Sequence, residues 1–231
     1  MERRGAKVNN IIVEAKNQIT ELKKLITTQN HIKTADIRKL SGVLFRKIDN
    51  KNIDNILSLC ENLLKENSWE LGVIAFDWAN RVKGQYSDET YEIFYKWLKK
   101  YVRGWGECDD FCTHAFAELL IQEKEIFPEV LKWTEDGDFW VRRASAVILI
   151  PAIKRNKYEG LKPLQIADKL MNDENELVCK GYGWMLKELS KVDENVVVEY
   201  LTKNHSKMPR VSYRYAIEKM DKEKRAKLMS L

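Results

Sequence analysis

"GDFWVRRASAVILIPAI", residues Gly137–Ile153, is the stretch whose reading decides the fold. It opens on a polar turn, passes through one or two residues and enters a helix with the small residues Ala144 and Ala146 on one side. The same order recurs in "NSWELGVIAFDWANRV" (67–82), "GECDDFCTHAFAELL" (106–120), "NELVCKGYGWMLKELSK" (175–191) and "PRVSYRYAIEKM" (209–220). Gly72 and Ala75, Ala115 and Ala117, Gly181 and Gly183, and Ala216 supply the small residues there. Small side chains let neighbouring helices approach closely, so each segment expects a helix packed against its successor.

The starts of these segments lie roughly 30 to 40 residues apart, and another amphipathic segment sits between each pair, such as "YEIFYKWLKKYV" (91–102) or "PLQIADKLM" (163–171). That is the period of a two-helix repeat of the HEAT or armadillo kind, whose stacked pairs build a solenoid with one concave face. The rest of the chain agrees with helix. Gly is sparse, only four prolines occur, and apolar residues recur at three- and four-residue steps in Ile11-Ala15-Ile19-Leu22-Leu25-Ile26 and Ile53-Ile56-Leu57-Cys60-Leu63-Leu64. "NVVVEYL" (195–201) is β-branched, but the "DEN" at 193–195 reads as a cap and first turn, which predicts helix there too. The expected fold class is therefore all-α, an α-solenoid of about six helix pairs forming one domain over 1–231.

Composition bounds the function. With 44% hydrophobic and 32% charged residues, the 231-residue chain is an ordinary globular protein rather than a disordered one. No apolar run approaches the ~20 residues that span a bilayer, and the start "MERRGAKVNN" has no hydrophobic core of a signal peptide, so a cytoplasmic protein with no membrane partner is expected. The four cysteines suit that compartment as reduced thiols. Cys108 and Cys112 lie near His114, but a zinc site wants a second ligand pair, and His31, His205 and Cys179 are isolated. No metal and no cofactor are expected. A net charge of +5 tilts the chain mildly towards acidic partners.

The first turns of the second helices would line the concave side. In order they offer Trp69 and Glu70; Trp105, Asp109 and Asp110; Trp140, Arg142 and Arg143; Lys180 with Trp184 one turn on; and Arg210 with Arg214. A wall of aromatics, cations and one acidic pair suits a polyanion whose sugars or bases stack on rings while phosphates meet Arg143, Lys180 and Arg210.

Three motifs in order then carry a resemblance: the Trp-x-x-x-Asp of "WGECD", "DFWVRRASAV" and "CKGYGWMLKELSK". From about Trp69 to the C-terminus the chain resembles the AlkD-like DNA alkylation-repair glycosylases of HEAT-like repeats. The resemblance implies a solenoid embracing duplex DNA and hydrolysis of the N-glycosidic bond of a positively charged alkylated purine; apart from it, a monomer is expected, although the sequence leaves self-association open. It would match Trp105 and Trp184 to the aromatics that pack on the deoxyribose, Asp109 to the catalytic carboxylate and Arg143 to an arginine holding backbone phosphate. The chemistry is coherent: departure of a cationic base leaves an oxocarbenium-like sugar, which a fixed carboxylate stabilises.

The departures bear on activity. "TADIRKLSGVLFRKI" (34–48) replaces the family's aromatic, Gly-rich N-terminal turn, leaving helices 1–65 the least determined, and Lys187 replaces an arginine. The acid is doubled, so Asp110 competes with Asp109, and the wording "CDDFC" leans towards relatives that bind damaged or branched DNA without excision. A protein-binding helical scaffold is the third reading. Structural alternatives stand beside each residue. Trp105 and Trp184 would fill gaps between repeats as core aromatics, as Trp69, Trp78, Trp97 and Trp133 are expected to do. Asp109 and Asp110 would cap a helix beginning near Phe111. Arg142 and Arg143 point about 100° apart on a helix, so at most one lines the groove and the other pairs with an acid on the flank. "DKEKRAKL" (221–228) reads as a solvated last helix.

Overall fold

The polar turns that punctuate the sequence become helix caps. In the computed structural model, which describes residues 2–24 and 31–231, with side chains from residue 10 onward, Asp138 accepts a hydrogen bond from Trp140 N (2.9 Å) and Asn175 accepts one from Leu177 N (2.9 Å). Each cap is itself held by an aspartate two residues earlier: Asp138 N donates to Asp136 Oδ1 (2.8 Å) and Asn175 N to Asp173 Oδ1 (2.9 Å). "DGD" (136–138) and the "DEN" at 173–175 therefore build the same turn in successive repeats, which satisfies backbone donors that a helix start leaves open. Asp193 caps its helix through Val196 N, so the β-branched run at 195–201 is helical, as expected.

All regular structure among the described residues is helical. The helices are α1 (Glu2–Lys24), α2 (Thr34–Arg46), α3 (Ile53–Leu64), α4 (Trp69–Arg81), α5 (Asp88–Tyr101), α6 (Trp105–Thr113), α7 (Ala115–Gln122), α8 (Phe127–Lys132), α9 (Phe139–Val147), α10 (Ile150–Lys154), α11 (Pro163–Leu170), α12 (Glu176–Ser190), α13 (Glu194–Asn204), α14 (Arg210–Ala216) and α15 (Lys222–Met229). Two stretches read as single helices are broken. Pro151 has no N–H to give Val147, and Gly137–Ile153 divides into α9 and α10. At His114 (φ −123°, ψ −94°) the backbone leaves the helix and α6 gives way to α7. Leu25 and Ile26 of the first periodic run lie outside the described residues.

The sequence reading expects one continuous array over 1–231; the chain packs as two units that divide between Tyr101 and Val102. In the first, α4 lies against α2 and α3, and Val73, Ile74, Phe76 and Trp78 are almost wholly buried. A polar knot crosses its core: Ser41 Oγ donates to Asp77 Oδ2 (2.5 Å), as does Arg81 Nε (2.7 Å), while Trp78 Nε1 donates to Ser41 O (3.2 Å). The stretch that replaces the expected N-terminal signature thus forms α2 and supplies Ser41. In the second unit α12 is central, packed against α9, α11, α13 and α14, and Tyr182, Met185 and Leu186 are fully enclosed. Trp78, Trp97 and Trp133 are core residues, whereas Trp69 is half-buried.

Candidate functional site

The candidate site is built from the second unit. Helix α6 starts at Trp105, after Gly104, so Asp109 and Asp110 lie past its first turn and are not its caps. The expectation that they cap a helix beginning near Phe111 fails because the helix begins six residues earlier. Its N-terminal turn is served by Glu107, whose carboxylate accepts from Arg103 N (2.6 Å). Cys108, Phe111 and Cys112 bury one face of α6. Trp105 and Asp109, four positions apart, share another.

Trp105 is 64% exposed. A core aromatic fills space between helices, and an indole left this far in water does not. Asp109, one turn on, is tied to α9. Arg143 Nε donates to its Oδ1 (2.9 Å) and Nη2 to its Oδ2 (2.8 Å), the fork-to-fork geometry in which a guanidinium binds a carboxylate with fixed orientation. The side chains are 7% exposed for Arg143 and 18% for Asp109, so the carboxylate keeps the more open edge. Burial pushes the Asp109 carboxyl above the usual aspartate value, and Arg143's hydrogen bonds and charge offset this only in part. Burial also works against the charge of Arg143, but Asp109 outweighs it and holds the guanidinium protonated.

The third nitrogen of the fork, Arg143 Nη1, donates to the carbonyl of Leu177 in the first turn of α12. Glycine makes room for this. A Cβ on Gly181 would meet Arg143 Cγ at 3.2 Å and Nη1 at 3.3 Å, so the arginine lies across a helix surface bare of side chain. Leu177, Gly181 and Trp184 follow at helical spacing, which puts the half-buried Trp184 one turn beyond the arginine; its Nε1 donates to Glu188 Oε1 (3.3 Å). Thus α6, α9 and α12 converge on one carboxylate–guanidinium pair with an exposed indole at one side.

Asp110 does not share this position. It is buried and its Oδ1 lies 3.6 Å from His114 Nδ1. Arg142 takes the flanking role expected of one of the two arginines, with Nε to Asp173 Oδ2 (2.6 Å), Nη2 to Asp173 Oδ1 (3.2 Å) and Nη1 to Asp136 O (2.9 Å). Adjacent arginines therefore stitch α9 both ways, Arg143 back to α6 and Arg142 forward to the turn before α12. Lys180 pairs with Glu176 (2.6 Å) one turn earlier. Arg210 is exposed at the start of α14, with its guanidinium 5.7 Å from the Tyr213 ring centroid. No group of three or more His, Cys, Asp or Glu that could hold a metal occurs among the described residues.

Sequence reasoning missed Gly181 and the Leu177 carbonyl as parts of the site; it read the glycines of "CKGYGW" only as contacts between helices. Gly183 is one, since a Cβ there would stand 2.8 Å from both Ser212 O and Tyr215 Cβ. Gly183→Ala is expected to destabilise the protein by about 1–3 kcal/mol, as overpacking against backbone outweighs the gain of up to ~1 kcal/mol in helix propensity. Gly181→Ala, whose Cβ would need the Arg143 side chain rather than backbone to give by a few tenths of an ångström, is expected to cost less than Gly183→Ala. Urea unfolding of both checks this, and equal losses would refute it.

The site is thus a charge-paired carboxylate, held in an arginine fork beside an exposed indole, on an all-helical fold. The chain belongs to the DNA alkylation repair enzyme family, whose model matches residues 18–220. Among curated proteins nothing matches it. Solved structures share the fold. AlkD2 from Streptococcus mutans is 20% identical with a TM-score of 0.63, over 90% of this chain and 99% of that one. Smu.31 from Streptococcus mutans UA159 is 18% identical with a TM-score of 0.64, over 91% and 100%. A protein from Enterococcus faecalis described as a predicted DNA alkylation repair enzyme is 16% identical with a TM-score of 0.58, over 85% and 100%. No helix among the described residues is long and apolar enough to cross a membrane.

Proposed function

We propose that this protein is a DNA glycosylase that hydrolyses the N-glycosidic bond of cationic alkylated purines in duplex DNA. The observation that carries the reading is the Asp109 carboxylate, oriented by Arg143 one turn from the exposed Trp105. An alkylated purine leaves with the electron pair of its C1′–N bond, which neutralises its charge, so it needs no strong general acid. The deoxyribose is left cationic, and water adds to C1′ with loss of a proton. A negative charge fixed before the reaction stabilises that sugar without reorganisation. Arg143 takes one lone pair from each Asp109 oxygen, and the remaining pairs are open to a water. The indoles of Trp105 and Trp184 offer flat apolar faces to the sugar, and Lys180 and Arg210 offer cations to flanking phosphates. Arg143 is a positioning residue in this scheme, since its guanidinium is spent on Asp109 and Leu177.

The test is release of 7-methylguanine and 3-methyladenine from alkylated duplex DNA by the pure protein. A second reading, DNA binding without excision, draws on the same pair, because a carboxylate held in a bidentate pair by a buried arginine also serves to stitch α6 to α9. Duplex binding with no excision of either base would establish that reading.

The raised titration of Asp109 sets a pH profile. Catalysis needs the carboxylate, so single-turnover excision should be full above its raised folded value and fall as pH drops through it. The midpoint should lie above that of an ordinary aspartate, and Asp109→Asn should show no such fall. An unchanged rate down to the ordinary aspartate range would contradict the assignment.

A further inference from the structure

A cavity of about 550 Å³ opens at the C-terminal end of the second unit, bordered by α14 and α15. Three arginines line it: Arg210 and Arg214 from α14 and Arg225 from α15, all exposed. The rest of its wall is mainly apolar, with Val211, Ile217, Met229 and the Tyr215 ring. One acid, Glu218, borders it, but that carboxylate is already bound by Lys187 (3.0 Å) and Lys219 (3.4 Å), and Lys187 holds its titration below the usual range. The cavity therefore presents cations that no acid on its rim neutralises.

It is also joined to the candidate site. Tyr215 sits with its Cβ 2.8 Å from where a Cβ of Gly183 would be, and Gly183 precedes Trp184. The Lys187 ammonium lies over the Tyr215 ring, 5.6 Å from its centroid. The close approach of α14 to α12 that Gly183 permits thus fixes one wall of the cavity next to the turn that carries Trp184.

We propose that this cavity is a second DNA contact, in which one backbone phosphate of the bound duplex, outside the reacting nucleotide, is held by Arg210, Arg214 and Arg225 with its sugar against Ile217 and Met229. Three guanidiniums lining one cavity suit a phosphate, which accepts charge-assisted hydrogen bonds from several directions. An apolar floor suits the carbon face of a deoxyribose. This assignment rests on the DNA reading above but not on excision.

The test uses the full chain, Arg214→Gln/Arg225→Gln, and a set of duplexes carrying a single neutral methylphosphonate at successive positions. Both arginines are exposed, and thermal unfolding confirms that the variant is folded. The variant should bind unmodified duplex on the order of tenfold more weakly, and its slope of log affinity against log salt should be shallower by about one phosphate, roughly 0.9. In the wild type, one methylphosphonate away from the lesion should weaken binding; in the variant that same position should cease to matter. A variant with the wild-type affinity and salt slope overturns the proposal, as does one that keeps every sensitive position, and so does a wild type that fails to bind duplex at low salt. Absence of excision with the methylphosphonate pattern intact would instead remove the glycosylase reading and leave the phosphate site standing.

Discussion

Asp109→Asn is expected to slow excision of 7-methylguanine by on the order of 10²-fold or more, the scale on which removal of one preorganised electrostatic catalyst acts. The substitution keeps the shape of the side chain and removes the charge that, in the proposed glycosylase, faces the developing sugar cation. Binding of intact DNA should stay equal or tighten, because a negative charge leaves the proposed DNA-facing site, so the loss should fall on the chemical step. Asp110→Asn should be mild by comparison, since that carboxylate is buried towards His114 rather than held in the arginine fork. Single-turnover kinetics on alkylated duplex DNA separate the two variants. Equal rates for wild type and Asp109→Asn would end the catalytic assignment. A cap role offers no shelter for an unexpected result, because the helix begins at Trp105.

The two-helix period was legible in the sequence because the turns repeat in chemistry as well as in spacing: "DGD" and "DEN" give the same cap on the same aspartate brace. The breaks at His114 and Ile148–Leu149 were not: the missing donor of Pro151 accounts for the second, whereas the first is a departure of the His114 backbone that no proline marks. Within the site, sequence placed Asp109, Arg143, Trp105 and Trp184 on candidate helix turns, but only packing could show that Arg143 turns inward to Asp109 while Arg142 turns outward to Asp173. The 100° between neighbours on a helix says that two adjacent arginines diverge, not which one meets which acid. Gly181 was hidden for the same reason: a glycine that accommodates one long side chain from another helix looks, in sequence, like a glycine that accommodates a helix.

Arg143→Met separates the positioning role of this arginine from the phosphate contact expected of it from sequence. The substitution keeps an unbranched apolar side chain but leaves the Asp109 carboxylate, mostly buried, without its partner. Removing one member of a buried pair costs about 3–5 kcal/mol when the other must stay charged. Arg143 cannot shed its charge, so Asp109→Asn should approach that range, whereas Asp109 can take up a proton and Arg143→Met should cost less. In Arg143→Met, burial raises the folded value of Asp109 above its unfolded value with no arginine to oppose it. The ionised form is then the destabilising one, and stability should recover as pH falls through the folded value, a trend that urea titrations at several pH values read directly. The double variant Asp109→Asn/Arg143→Met, which strands no charge, should be more stable than Asp109→Asn alone. Excision gives the decisive comparison. If Arg143 acts only by orienting Asp109, the two residues work as a unit and the double variant should be no slower than Asp109→Asn. A further loss on adding Arg143→Met, matched by weaker duplex binding and a shallower salt slope, would mean that the guanidinium meets DNA phosphate on its own account and that its fork with Asp109 opens when DNA binds.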